Sequence, residues 1–256
     1  MLLNEKVAII TGGASGLGEA TVRHFTTQGA KCAIFDMDDS RGSALAKELG
    51  DDVAYFNVDV ANAESVETAV KKAVEKFSAV HVLCNYAGIS MPTQTITRDG
   101  PGDLDKFTKI INVNLVGTFN VTRVVAYAMS QQEPVTEDGC RGVIINTASV
   151  AAFEGQIGQA AYTASKAAIV GMTLTIARDL SRNGIRVNSI VPGLIHTPMF
   201  DGFPDELYKS LESQVLFPQR LGKPEEIAHL AQYIVENDYT NGECIRMDGA
   251  IRMQPR

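Results

Sequence analysis

Val7-Ala8-Ile9-Ile10-Thr11-Gly12-Gly13-Ala14-Ser15-Gly16-Leu17-Gly18 runs from an unbroken apolar stretch into a glycine-rich turn. The apolar part predicts a strand covered on both faces, because a half-exposed strand would alternate polar and apolar side chains. Glycines at 12, 16 and 18 form G-x-x-x-G-x-G, and a helical pattern over residues 19–28 follows at once. Such glycines let the backbone turn tightly and come close to a pyrophosphate. The helix start adds amide donors and the positive end of its dipole. A glycine turn that only connects two elements has the same composition; the strand before it and the helix after it favour phosphate binding.

The same unit recurs outward from this point. Further strands are expected at residues 32–36, 53–58, 80–84, 143–147, 187–191 and 243–247. Helices are expected at 40–49, 63–77, 104–129, 160–180 and 224–235. Strands alternating with helices, with no linker, repeat or low-complexity tract, predict one α/β domain over residues 1–256. Its expected core is a doubly wound, seven-stranded parallel sheet of Rossmann type with helices on both faces. Irregular stretches at 90–102 and 192–218 follow strands and belong at the carboxyl edge, where ligands bind. The stretch 131–142 enters a strand and belongs at the opposite edge.

Asp36 ends the second strand, eighteen residues after Gly18. A carboxylate there can hold both hydroxyls of an adenosine ribose and repel a 2′-phosphate, although a strand-ending turn Asp has the same appearance. Ser15 is uncharged and no Arg or Lys neighbours Asp36, so NAD is expected over NADP.

The net charge of −7 argues against general nucleic-acid binding, which needs a basic surface. Cys32, Cys84, Cys140 and Cys244 are widely spaced with no C-x-x-C pair, and the four histidines lack ligand spacing. Neither a disulfide framework nor a metal site is expected. No apolar run approaches a membrane span, and the N-terminal residues carry no targeting pattern. A soluble, cytoplasmic protein is expected.

Tyr162 and Lys166 are four apart in a helical stretch and so share one face. Small residues, Ala160, Ala161, Ala164, Ser165, Ala167 and Ala168, surround them and favour close packing there over a solvated surface. An ammonium beside a phenol should lower the phenol from its usual ~10 toward working pH. Tyr162 would then exchange a proton with a substrate alcohol. Ser149, just past a buried strand, either holds the substrate oxygen beside Tyr162 or simply caps a turn.

Thr11–Gly18, Asp59-Val60, Asn85-Tyr86-Ala87-Gly88, Asn112-Val113-Asn114, Ser149, Tyr162-x-x-x-Lys166 and Pro192-Gly193 together resemble the short-chain dehydrogenase/reductase family. That resemblance implies a catalytic set of Asn114, Ser149, Tyr162 and Lys166, with Ser149 and Tyr162 on the substrate. It assigns Gly12, Ser15, Gly16, Leu17, Gly18, Asp36, Asp59, Val60, Asn85, Tyr86, Ala87, Gly88, Pro192, Gly193, Ile195 and Thr197 to the cofactor. Asp59 and Val60 would flank the adenine. Asn85–Gly88 would lie beside the cofactor and support the sheet, and Thr197 would meet the carboxamide. Lys166 would hold the nicotinamide ribose, and Asn114 would keep a water in a proton relay. Tyr86 departs from the family's usual Asn at that place. The family also implies a homotetramer built partly from residues 104–129 and 160–180.

Residues 142–155, the insertion at 131–141 and the stretch 241–253 resemble one branch, the type-2 3-hydroxyacyl-CoA dehydrogenases, also called 17β-hydroxysteroid dehydrogenases type 10. The branch implies oxidation of a 3-hydroxyacyl-CoA thioester to the 3-ketoacyl-CoA, within fatty acid metabolism. A hydroxysteroid or other secondary alcohol, a 3-ketoacyl reductase, and a non-catalytic NAD-binding regulator are the alternatives. Residues 200–216 mix apolar and polar side chains, as either a substrate lid or a packing helix would.

Overall fold

The computed structural model describes residues 1–198, 202 and 204–255. β1 (Val7–Thr11) is buried along its whole length and passes through the glycine turn into α1 (Gly16–Thr27). The unit repeats as β2 (Lys31–Asp36), α2 (Asp39–Leu49), β3 (Val53–Asn57), α3 (Ala63–Phe77) and β4 (Val82–Asn85). A short hairpin follows, β5 (Ile96–Thr97) with β6 (Gly100–Pro101). Then come α4 (Leu104–Ile111), a π-helical turn Asn112–Gly117, and α5 (Thr118–Ser130). β7 (Gly142–Thr147), α6 (Ala160–Leu180), β8 (Ile185–Pro192), α7 (Asp205–Gln214), α8 (Pro224–Glu236) and β9 (Cys244–Met247) complete the order.

Seven strands form one sheet in the order β3-β2-β1-β4-β7-β8-β9, parallel at every neighbouring pair. The doubly wound α/β expectation holds. Alternation along β1 explains both cores. Ala8 and Ile10 join Ile34, Cys84 and the α1 and α8 residues Phe25 and Ile227 on one face. Val7 and Ile9 join Phe35, Leu83 and the α3 and α5 residues Val66 and Val125 on the other. Each such aliphatic side chain contributes about 1.5–3 kcal/mol by leaving water. The chain winds outward in opposite directions from β1 and β4, which opens a crevice at their carboxyl ends.

Three elements differ from expectation. Residues 104–130 are not a uniform helix, because the π turn at Asn112–Gly117 inserts one extra residue and rotates Asn114 into the interior. The stretch after β4 contains the β5–β6 hairpin. Within residues 200–216, α7 occupies Asp205–Gln214. Phe200 and Phe203, part of the apolar side of the expected lid, lie outside the described residues.

Candidate active site

The crevice between β1 and β4 holds a cleft of about 560 Å³, within the range of small-molecule sites. Gly12, Ser15, Gly16, Leu17 and Gly18 form its floor. Gly12 has φ +63°, and a Cβ there would sit 2.9 Å from the Ala87 amide nitrogen. A Cβ on Gly18 would strike the Gly12 carbonyl, so only glycine lets α1 start this close to β1. Ser15 precedes α1 without a side-chain cap bond, which leaves the first-turn amides for a ligand.

Asp36 also lines the cleft. Its Oδ2 accepts from the Ala14 amide at 3.0 Å and its Oδ1 from the Asp38 amide at 3.1 Å. The carboxylate is thereby tied to the glycine turn, with lone pairs left for a diol. Arg41, five residues further on, pairs with Asp38 instead. Asp59 and Val60 form the wall beyond, and the Val60 carbonyl accepts from Asn120 Nδ2 at 2.9 Å. A turn that a Cβ at Gly12 or Gly18 would block, open helix amides, a carboxylate with free lone pairs and an apolar wall fit a nicotinamide dinucleotide.

At the other end, Tyr86, Ala87 and Gly88 run along the cleft. The Ala87 amide donates to Thr11 Oγ1 at 3.1 Å. The Tyr86 phenol turns away under α1, where Thr21 Oγ1 donates to it at 3.0 Å. Tyr86 thus stands where the resemblance expects Asn, and its segment still lines the cleft. Asn85 is buried and does not line the cleft. Its Nδ2 donates to Asn146 Oδ1 at 2.9 Å and Thr122 Oγ1 at 3.2 Å, a polar tie across the sheet centre.

Tyr162 and Lys166 face the cleft from the first turns of α6, as their spacing requires. Lys166 is 4 % exposed, donates from Nζ to the Thr147 carbonyl at 2.6 Å, and sits 5.7 Å from the Tyr162 ring centroid. Burial pushes its ammonium down to about 8. Burial also pushes the Tyr162 phenol above its ordinary value, and the neighbouring Ser149 hydroxyl pulls it partly back. The expected lowering by Lys166 is not found: burial raises the phenol, and the group that pulls it partly back is the Ser149 hydroxyl.

Ser149 does two things. Its Oγ accepts from the Ala151 amide at 3.1 Å, capping the short 3₁₀ turn Val150–Ala152, and it stands against Tyr162. Asn114 is fully buried rather than on a helix surface. Its Oδ1 accepts from the Ile89 amide at 2.8 Å; its Nδ2 donates to the Ile89 carbonyl at 2.9 Å and Ser165 Oγ at 3.2 Å. The side chain clamps the chain beyond Gly88, and its own carbonyl accepts from Thr118 Oγ1 at 2.7 Å.

Thr197 lines the cleft opposite the glycine turn, but Pro192, Gly193 and Ile195 do not. Pro192 ends β8 beside Met247, and the Gly193 amide donates to the Met247 carbonyl at 3.0 Å. Ile195 is buried and bridges to Gly222. These three aim the run that delivers Thr197. Lys109 and Val113 also line the cleft outside the expected set, as do Phe35, Met37, Val58, Ile89, Thr147 and Pro198. The first two lie four apart on the helical row beside Asn114, a periodicity that points to them once Asn114 faces inward.

The family model described as short chain dehydrogenase matches residues 6–207. The chain is 55 % identical over 251 residues to 3-hydroxyacyl-CoA dehydrogenase type-2 of Bos taurus, covering 97 % of this chain and 96 % of that one. It is 50 % identical to the protein of the same name from Drosophila melanogaster, covering 99 % and 100 %. The crystal structure of 3-hydroxyacyl-CoA dehydrogenase type-2 from Mycobacterium avium superposes with a TM-score of 0.94 at 42 % identity, covering 98 % and 97 %. A parallel sheet with this order, a cleft fitting a nicotinamide dinucleotide, and these matches agree: the chain belongs to the short chain dehydrogenase family, whose members are nicotinamide-dependent oxidoreductases.

Proposed function

We propose that this enzyme oxidises the secondary alcohol of a 3-hydroxyacyl-CoA thioester to the 3-ketoacyl-CoA with NAD+. One observation carries the chemistry: Tyr162 lines the dinucleotide cleft with Lys166 one turn below it on α6, and Ser149 is its polar neighbour. The names borne by relatives at 55 % and 50 % identity supply the substrate class. Asp36, with no cation paired to it among the described residues, favours NAD over NADP.

Ser149 Oγ holds the substrate oxygen by a hydrogen bond, and Tyr162 Oη removes its proton as the C–O bond gains carbonyl character. A bound oxidised nicotinamide would supply the hydride acceptor for the carbinol carbon and a positive charge in the cleft that Tyr162 lines. Lys166, anchored on the Thr147 carbonyl, would hold the ribose hydroxyls with its remaining N–H donors and keeps a positive charge near the Tyr162 ring. Asn114 keeps Ile89 and hence the Tyr86–Gly88 wall in place. The water relay through Asn114 runs past an amide already committed to Ile89 and Ser165.

Exposed apolar side chains on α4 to α6, Phe107, Phe119, Tyr127 and Leu174 among them, support assembly as a homotetramer through these helices. Four free cysteines suit the reducing cytoplasm. No helix among the described residues is long and apolar enough to cross a membrane. The test is initial rates of NAD+ reduction with 3-hydroxybutyryl-CoA, 2-methyl-3-hydroxybutyryl-CoA and a 17β-hydroxysteroid, with NADP+ in parallel. Turnover of a CoA thioester with NAD+ is expected. Activity on the steroid alone overturns the substrate class, and preference for NADP+ overturns the role given to Asp36.

A further inference from the structure

Between Ser149 and Tyr162 the chain leaves the sheet, crosses the surface and returns into α6. Apart from the short 3₁₀ turn, this connection has little regular structure of its own, yet both side chains proposed to meet the substrate oxygen hang from its ends. What holds it comes from far away in sequence. On one side the Thr93 amide donates to the Gly158 carbonyl at 2.8 Å. On the other side lies the segment after β9. The Ile157 amide donates to the Pro255 carbonyl at 3.0 Å, and Gln156 Nε2 donates to the Gln254 carbonyl at 3.0 Å.

Glu154 is the charged centre of this contact. Its Oε1 accepts from Arg246 Nη1 at 3.0 Å, and its Oε2 accepts from the Met253 amide at 2.9 Å; Arg252 Nε approaches at 3.5 Å. Arg246 in turn pairs with Asp248 at 2.7 Å and lies 5.6 Å from the Phe153 ring centroid. The carboxylates of Glu154 and Asp248 are 20 % and 10 % exposed, so these pairs are screened less than surface pairs. Burial pushes the Glu154 carboxyl up, but the Arg246 and Met253 bonds outweigh it and hold it below the ordinary range. Glu154 is therefore ionised across neutral pH and needs its cations.

We infer that Glu154 is a positioning residue: with Arg246 it straps residues 251–255 onto the 153–159 connection and so fixes Ser149 against Tyr162. The inference rests on the proposed roles of those two residues and extends them to Glu154, whose partners Arg246 and Met253 lie 92 and 99 residues from it in sequence. It has a chemical consequence. Ser149 opposes the burial that raises the phenol. A strap that slackens lets Ser149 drift, and the base then ionises at higher pH while the dinucleotide cradle, built from β1, α1 and β2, stays intact.

The test compares wild type with Glu154→Ala, Glu154→Gln and Arg246→Met, each checked for unchanged near-ultraviolet dichroism. Misplacing a reacting group by about 1 Å costs on the order of a hundredfold in rate. For Glu154→Ala, kcat for NAD+ reduction with 3-hydroxybutyryl-CoA is expected to fall about ten- to a hundredfold. Its rising pH limb should move to higher pH, while the NADH dissociation constant stays within about twofold. Glu154→Gln, which keeps the shape, should recover part of the rate. An ultraviolet titration of Tyr162, taken as the difference from Tyr162→Phe in each background, should show the same upward shift without any turnover. Unchanged kcat and titration midpoint overturn the inference, as does a parallel loss of NADH affinity. A wild-type protein that reduces no NAD+ faults the proposed function instead, and the titration alone then decides the strap.

Discussion

Lys166 places an ammonium at 4 % exposure on a buried helix face, bonded through Nζ to one carbonyl. Burial brings its ionisation from 10.5 down to about 8. The difference corresponds to about 3 kcal/mol by which folding disfavours the charged lysine. In the unfolded chain the group keeps its proton up to about pH 10.5, whereas in the folded chain it gives the proton up near pH 8. Between those values the unfolded state binds more protons, so stability must rise with pH there. Below pH 8 both states are charged and the full cost is present. About 2.5 kcal/mol of it should be recovered between pH 7 and pH 10. Urea unfolding of wild type and Lys166→Met, at both pH values and one fixed protein concentration, isolates this contribution, because Met conserves the unbranched shape without the charge. Wild type should gain about 2.5 kcal/mol relative to the variant on going to pH 10. A relative change under about 0.5 kcal/mol, or one of opposite sign, would refute the claim that Lys166 is buried and desolvated in the free enzyme.

Asp36→Ser removes the proposed acceptor for the ribose diol, worth about 1.5–3 kcal/mol in charge-assisted hydrogen bonds. kcat/KM for NAD+ should fall about ten- to a hundredfold while that for NADP+ rises; steady-state kinetics with both cofactors decide it. Asn114→Ala strands the Ile89 amide and carbonyl, so unfolding in urea should show a loss of about 2 kcal/mol together with a raised KM for NAD+.

Much of the fold was legible because burial on both faces leaves a simple mark. Val7–Thr11 and Val143–Thr147 are unbroken apolar runs, and a strand between two helical layers has no reason to be otherwise. The cofactor floor was legible because Gly12 and Gly18 answer to sterics alone. The Tyr162–Lys166 pair was legible from helical spacing.

What escaped depends on partners distant in sequence. The π turn at Asn112–Gly117 is one inserted residue with no composition of its own, and it matters because Asn114 finds Ile89, twenty-five positions away. Tyr86 reveals its place only through Thr21 on the opposite side of the turn. The direction of the Tyr162 shift needed the depth of burial, which spacing does not carry. Glu154 reads in sequence as an ordinary loop acid until β9 brings Arg246 to it.

The central claim is that Tyr162 is the base of an NAD-dependent alcohol oxidation. Tyr162→Phe keeps the ring and its packing and removes only the hydroxyl. NADH binding by fluorescence and initial rates of NAD+ reduction with 3-hydroxybutyryl-CoA should be measured on wild type and this variant side by side. The expected result is NADH affinity within about twofold and a rate lower by at least about a hundredfold, the scale of lost general-base catalysis. A variant that turns over at the wild-type rate would contradict the claim.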